Sequence, residues 1–299
     1  MKRILDGTVR MAAIAIIVMT GAAGCKRVES QRPSGSPAET QAGSAAAQSD
    51  GPRQGAAKAG CGDLPSGDDL KRWLREVPAQ GGDAGGLFSG RMEWASVVNR
   101  QGEICATAVA TDDPASAWPG SQAIAKAKAY TANAYSTDTL ALSTARLYTL
   151  TQPGHSLWGV AVPNPFVADC LQTPQNAGKT DGRVCGGSIA FGGGVPLYKG
   201  KTRVGGLGVS GDTACADHEI AKRIRHLANL DPEKGEFADD IVFAAVDGAS
   251  EFAHPMCDNT WRNGMKLGDE AKTEAPGAAG ESLPARGSGT NRGKPPASR

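Results

Sequence analysis

Apolar and polar positions fall in blocks whose period changes along the chain. Residues 64–77 place Leu70, Trp73, Leu74 and Val77 at helical spacing, with Asp68 and Asp69 near the start and Pro78 past the end, and so predict a short amphipathic helix. Residues 93–99 and 103–111 are two β-rich runs about a Gln101-Gly102 turn, the pattern of a hairpin. Residues 119–136 form the longest helical pattern, with Ser121 as the expected cap, Ile124, Ala127, Lys128 and Thr131 along one face, and enough alanine to lie close against a sheet. A second helical piece is expected over 140–150, ended by Gln152-Pro153-Gly154. Residues 155–184, rich in Pro, Gly, Asn and Asp, read as a long loop, and long ordered loops often carry function.

The stretch 186–225 organises the rest. Ile189, Phe191, Val195, Leu197 and Tyr198 supply a first strand, Lys199-Gly200-Lys201 a turn, and Val204, Leu207 and Val209 a second strand. A helix then opens at Asp212 or Thr213 and runs through Ile220, Ile224 and Leu227. A last apolar run spans 241–246, and Phe252 to Cys257 closes the patterned region. Hairpins interrupted by helices imply an α+β domain, an antiparallel β-sheet covered by helices, over residues 61–266.

The ends read differently. Residues 1–24 have Lys2, Arg3 and Arg10 ahead of a short apolar run, about half of the ~20 residues a spanning helix needs, and so form an export signal. Gly21-Ala22-Ala23-Gly24-Cys25 resembles a lipobox with Cys25 as the lipidated residue, although Ala22 stands where Leu is commonest; cleavage after small residues without lipid is the alternative. Residues 25–60 and 267–299 lack large apolar side chains and read as a disordered tether and tail, so the domain is expected to hang from the bacterial cell envelope by an N-terminal lipid, facing the periplasm or the surface. A net charge of +1 gives no basic field for nucleic acid.

Glycines are unusually dense at 192–194 and 205–211. In a regular element each costs roughly 0.5–1 kcal/mol, so such a run means that a backbone or a flat ligand comes close. The string GGGVPLY followed by VGGLGVSGDTACADHEIA resembles the C-terminal half of the GlcG/HbpS family of haem-binding-type domains, and two upstream segments match as well. These are Lys128-Ala129-Tyr130-Thr131-Ala132 within the long helix, and Ser143-Thr144-Ala145 with Leu147-Tyr148 before Gln152-Pro153-Gly154. The resemblance covers roughly residues 90–260. It implies a profilin-like arrangement, a haem or similar tetrapyrrole ligand, and a capacity for homo-oligomers, which an exposed sheet face would permit. It carries no axial-ligand position onto this chain.

The residues supply their own candidates. His218 lies near the start of the last helix, with Lys222 and Arg225 on the same face for propionates, and is the first candidate iron ligand; His254 is the second. Gly193, Gly194, Gly208 and Ser210 would line the slot, together with the helix start and the 155–184 loop. The bland reading is that the glycines merely let a helix pack on the sheet. A metal-free module for a small organic acid, or a structural envelope lipoprotein, are the alternatives to haem. Gly206-Leu207-Gly208-Val209-Ser210-Gly211 also fits the dinucleotide fingerprint, but no further βαβ units accompany it. No nucleophile or carboxylate pair forms a catalytic set, so a binding protein is expected rather than an enzyme.

Cys61, Cys105, Cys170, Cys185, Cys215 and Cys257 remain once Cys25 is set aside, an even number suited to an oxidising compartment. Sequence alone allows many connectivities. Cys170–Cys185 would staple the long loop, worth about 3 kcal/mol in the chain-entropy model. Cys215–Cys257 would tie the last helix to the closing segment, leaving Cys61–Cys105. Cys215-x-x-His218 and His254-x-x-Cys257 could instead form a Cys₂His₂ zinc site.

Overall fold

A computed structural model of the chain describes residues 60–269. The leader, Cys25 and almost all of the tether and tail lie outside them. Among the described residues no helix is long and apolar enough to cross a membrane.

The first helix, α1 (Gly67–Glu76), starts three residues later than the 64–77 pattern implies, because Ser66 and Asp69 form a reciprocal capping box. Strands β1 (Trp94–Asn99) and β2 (Ile104–Val109) form the foreseen hairpin. Helix α2 (Ser121–Tyr135) follows, starting from Gly120 with no side-chain cap; Ser121, expected to cap it, is the first helical residue and is buried. Strands β3 (Gly194–Lys199) and β4 (Thr202–Ser210) then lead to α3 (Ala214–Leu227), capped by Thr213. A short α4 (Ala244–Asp247) and a small hairpin, β5 (Thr260–Arg262) with β6 (Met265–Gly268), complete the described residues.

The four long strands form one antiparallel sheet in the order β2-β1-β4-β3. This topology removes the dinucleotide reading, since β4 has only antiparallel neighbours. Ala95, Val97, Val195, Leu197, Leu207 and Val209 point to one face, where they form the main core with Leu70 and Leu74 of α1 and Ile220 and Ile224 of α3. The opposite face takes α2. Among the described residues, helices thus lie on both faces of the sheet.

Three sequence expectations fail because side chains claim the backbone groups that a regular element would use. Residues 140–150 make only two 3₁₀ turns, Thr144–Leu147 and Thr149–Thr151. There Ser143 Oγ donates to Asp239 O at 2.6 Å, while Thr144 Oγ1 donates to Phe191 O at 2.7 Å and accepts from Gly194 N at 2.8 Å; hydroxyls used this way compete with helix. Residues 189–193 do not extend β3, because Ile189 N is taken by Thr131 Oγ1 and Gly193 has φ +114. Residues 241–246 are not a strand. Asp240 and Asp247 cap the local amides of Ile241 and Phe243, and a single bridge joins Val242 to Ala253. The β5–β6 hairpin was not foreseen.

All three anticipated disulfides are present: Cys61–Cys105 ties the segment before α1 to β2, Cys170–Cys185 closes the long loop, and Cys215–Cys257 joins α3 to the closing segment.

Helix α2 seals a buried group of charges against the sheet. Lys128 Nζ lies 2.6 Å from Asp217 Oδ2, donates to Val209 O at 3.0 Å, and sits 4.8 Å from the centre of the Phe191 ring. Asp217 Oδ1 accepts from Gly211 N and Asp212 N. Glu93 is fully buried beside Asp217, and neither of its oxygens has a hydrogen-bond partner. Burial, then the Asp217 charge, push the Glu93 carboxyl well above the usual range. Burial also raises Asp217, but Lys128 and the Asp212 amide oppose it.

Two outcomes follow in urea unfolding. Gly208→Ala should lose about 3 kcal/mol, since its methyl would strike the backbone of Ala125 and Ala129, whereas Gly67→Ala, with open space around it, should be neutral or slightly stabilising. Lys128→Met should cost about 3–5 kcal/mol by leaving Asp217 without its cation, and adding Asp217→Asn should recover part of that loss. A Lys128→Met chain as stable as the parent would show that the pair is not what holds α2.

Candidate functional site

The glycines of the central hairpin are filled by protein. A Cβ at Gly206 or Gly208 would clash with α2 backbone; at Gly193 it would stand 2.6 Å from Lys128 Nζ, and at Gly194 2.7 Å from Lys128 O. Ser210 is buried at the end of β4, paired with Trp94. The close approach foreseen from these glycines is thus made by a helix, and the expected slot for a flat molecule against Gly193, Gly194, Gly208 and Ser210 is occupied.

Of the expected iron ligands and propionate cations, His254, Lys222 and Arg225 are engaged within the protein, while both ring nitrogens of His218 are buried without a hydrogen-bond partner. His218 is completely buried, with Nε2 3.5 Å from Asp240 Oδ1; burial lowers its basicity and keeps the ring neutral. Lys222 Nζ reaches Asp240 at 2.7 Å, Glu219 at 3.1 Å and Asn263 at 2.7 Å. Arg225 holds Asp239 through two bonds of 2.8 and 3.0 Å. Both cations therefore neutralise this chain's own carboxylates. His254 donates from Nδ1 to Pro255 O at 2.6 Å and accepts at Nε2 from Gly192 N at 3.2 Å, and burial pulls its pKa down to about 4. Of the proposed Cys₂His₂ set, the structure gathers Cys215, His254 and Cys257 and leaves His218 outside the group. The disulfide occupies both sulfurs.

An open space exists nearby, at the edge of α2. A cavity of about 260 Å³ lies between Thr131 and Tyr135 of α2, Leu147 and Thr151 of the 3₁₀ turns, the 157–161 part of the long loop, and Ser188 to Ala190. Its wall is apolar, with Leu147, Leu157, Val160 and Ile189, and the exposed Trp158 stands at its rim. Ser188 Oγ is buried with no partner. Thr131 Oγ1 donates to Ala127 O and accepts from Ile189 N, fixing one wall to the helix. No Lys or Arg lines this space. A larger depression of about 620 Å³ between Asp138 and Lys234 sets Arg146, Lys201, Glu233 and Lys234 among apolar residues, and its Lys201 is paired with Glu233 at 3.1 Å.

Sequence reading put the site where the glycine-rich hairpin, the start of the last helix and the 155–184 loop meet; of these the cavity is lined only by residues 157–161 of the loop and by Ile189 and Ala190, assigned to the first strand of the hairpin region. It missed Tyr135. The available signal was its position four residues after Thr131, on the same helical face. It also missed Glu93, whose burial nothing in its local pattern announces.

Residues 93–225 match the family model described as haem degrading protein HbpS-like. Among solved structures, a PduOC–haem complex is 25% identical over 55% of this chain and 93% of its own, with a TM-score of 0.39. Protein ORFY of Klebsiella pneumoniae is 22% identical over 54% of this chain and 86% of its own, with a TM-score of 0.38. HbpS is 20% identical over 54% and 85%, with a TM-score of 0.33. No curated protein matches the chain. The matched segment runs from the residue before β1 into α3, so it takes in the whole four-stranded sheet, α2 and the cavity wall, and leaves α1 and the closing segment outside. The domain built from residues 93–225 belongs to the GlcG/HbpS-like family.

Proposed function

We propose that this protein is an extracytoplasmic binding module that holds haem, or a similar flat apolar tetrapyrrole, in the cavity between α2 and the 155–190 segment. The observation that carries this reading is an apolar, aromatic-rimmed space inside the segment that matches the HbpS-like family. At about 260 Å³ it lies just below the roughly 300–1,000 Å³ range of enclosing ligand pockets. It therefore fits one edge of a tetrapyrrole, with the remainder against Trp158 and in solvent. Tyr135 is the lining residue whose side chain can ligate haem iron, as tyrosine does in some haem proteins. Bound haem would supply the iron; Tyr135 would supply the oxygen ligand and Trp158 a stacking face.

The absence of a cation from the lining disfavours an organic acid as the ligand there, because nothing would offset the desolvation of its carboxylate. Three disulfides support an oxidising compartment. Lipidation at Cys25 would then tether the domain to a membrane.

Haemin titrated into the oxidised chain should give a saturable change in the Soret region. Tyr135→Phe should shift the absorbance maximum, and Trp158→Ala should weaken binding at least tenfold. Absence of a saturable change removes haem. A spectrum and affinity unchanged in both variants would move the site elsewhere and return His218 to consideration. For the tether, Cys25→Ser should move the protein from the membrane fraction to the soluble one; retention in the membrane fraction would rule out lipid anchoring at Cys25.

A further inference from the structure

We propose that Cys215, His254 and Cys257 form a zinc site once the Cys215–Cys257 disulfide is reduced. Among the described residues, one ligand atom from each of the three lies within 4.8 Å of the others, and all three residues are buried. Neither of the other two disulfides belongs to such a group. The three positions are held by independent elements. Cys215 sits in the first turn of α3, where the helix N-terminus favours a thiolate. Its backbone N–H already points at Cys257 Sγ, 3.2 Å away. Cys257 N is held by Thr260 Oγ1 at 2.7 Å, and the His254 ring is oriented by its bond to Pro255 O. A carbonyl that fixes the ring of a ligating histidine is a usual partner at zinc centres.

The chemistry balances as follows. A dithiol reductant gives two electrons and two protons to the disulfide and becomes a disulfide itself, leaving Cys215 and Cys257 as thiols. Zinc then replaces both thiol protons, which pass to solvent, forms two Zn–S bonds, and takes the Nε2 lone pair of His254 in place of the hydrogen bond from Gly192 N, while Nδ1 keeps its proton on Pro255 O. Zn–S bonds of about 2.3 Å in tetrahedral geometry put the two sulfurs about 3.8 Å apart, which asks each to move by about 1 Å from the joined state. Two thiolates and one imidazole are a known zinc ligand set, with the fourth position left for an exogenous group. The same three residues thus link α3 to the closing segment in either state, by a covalent bond when oxidised and through the metal when reduced.

The test uses the full chain, reduced with excess dithiol, freed of reductant under argon and loaded with zinc alone. One zinc per chain should remain after gel filtration, and cobalt in its place should give thiolate charge-transfer and tetrahedral absorption bands. The oxidised chain should retain no zinc. His254→Ala and Cys257→Ser should each weaken binding at least tenfold, and the Cys170→Ser, Cys185→Ser pair should leave it intact. Because these substitutions can loosen the closing segment, the unaltered reduced chain is also alkylated with and without zinc. Zinc should shield Cys215 and Cys257 while Cys61, Cys105, Cys170 and Cys185 react. A reduced chain that retains no zinc, or zinc that shields Cys61, Cys105, Cys170 and Cys185 as well as Cys215 and Cys257, overturns the proposal.

Discussion

The rest of this structure depends on how near α2 can come to β4. At Gly206 and Gly208 the strand has no side chains, so the helix lies on the sheet backbone to backbone, with Ala125, Ala129 and Asn133 directly above. A methyl group at either position would push the two apart, and interiors packed to crystal-like density do not absorb such a shift. The alternation along β4 divides the labour: Leu207 and Val209 turn the other way and fill the core under α1 and α3. One strand thus supplies a smooth floor on one face and an apolar surface on the other.

That closeness dictates the electrostatics. Lys126 and Lys128 lie within the buried part of α2, and neither is exposed to solvent. Lys128 is met by Asp217. Lys126 is met by Gln122 Oε1 at 2.8 Å and by the carbonyls of Ala177 and Cys170, with burial lowering its pKa to about 8. A lysine held by carbonyls of the long loop is a strut for that loop, and the Cys170–Cys185 bond fixes the loop again a few residues away. The charges that look like surface residues in the sequence are therefore the fasteners between α2, the loop and α3.

The sequence revealed the elements whose signal is local. The cap at Thr213, the alanine-rich helix and the two hairpins followed from spacing and turn residues, and parity indicated that the six cysteines pair. What it misjudged depends on contacts far along the chain. Residues 140–150 have helical spacing, but their hydroxyls bond to backbone near residues 191–194 and 239. His218 with Lys222 and Arg225 looked like a ligand and its cations because they share a helical face; Asp239 and Asp240, some twenty residues on, turn that face into a closed ionic network. The glycines gave two valid readings, a ligand or a helix against the backbone, and local sequence carries no term that separates them.

The site is displaced from the glycines for the same reason. Where helix and sheet touch through bare backbone, no volume is left between them, so a ligand can be held only at the margin of the contact, where another segment builds a second wall. Here that segment is 155–190. Its far end is fixed to α2 by Ile189 N on Thr131 Oγ1 and by Gly187 against Ala127, and its near end by Leu157 N on Leu150 O. Between those anchors the regular structure is limited to two 3₁₀ turns, Ala168–Cys170 and Pro174–Thr180, and isolated bridges, and Trp158 is left at the rim. The family core thus acts as a rigid platform. The size and chemistry of the pocket are set by that platform together with the length and composition of the loop braced against it.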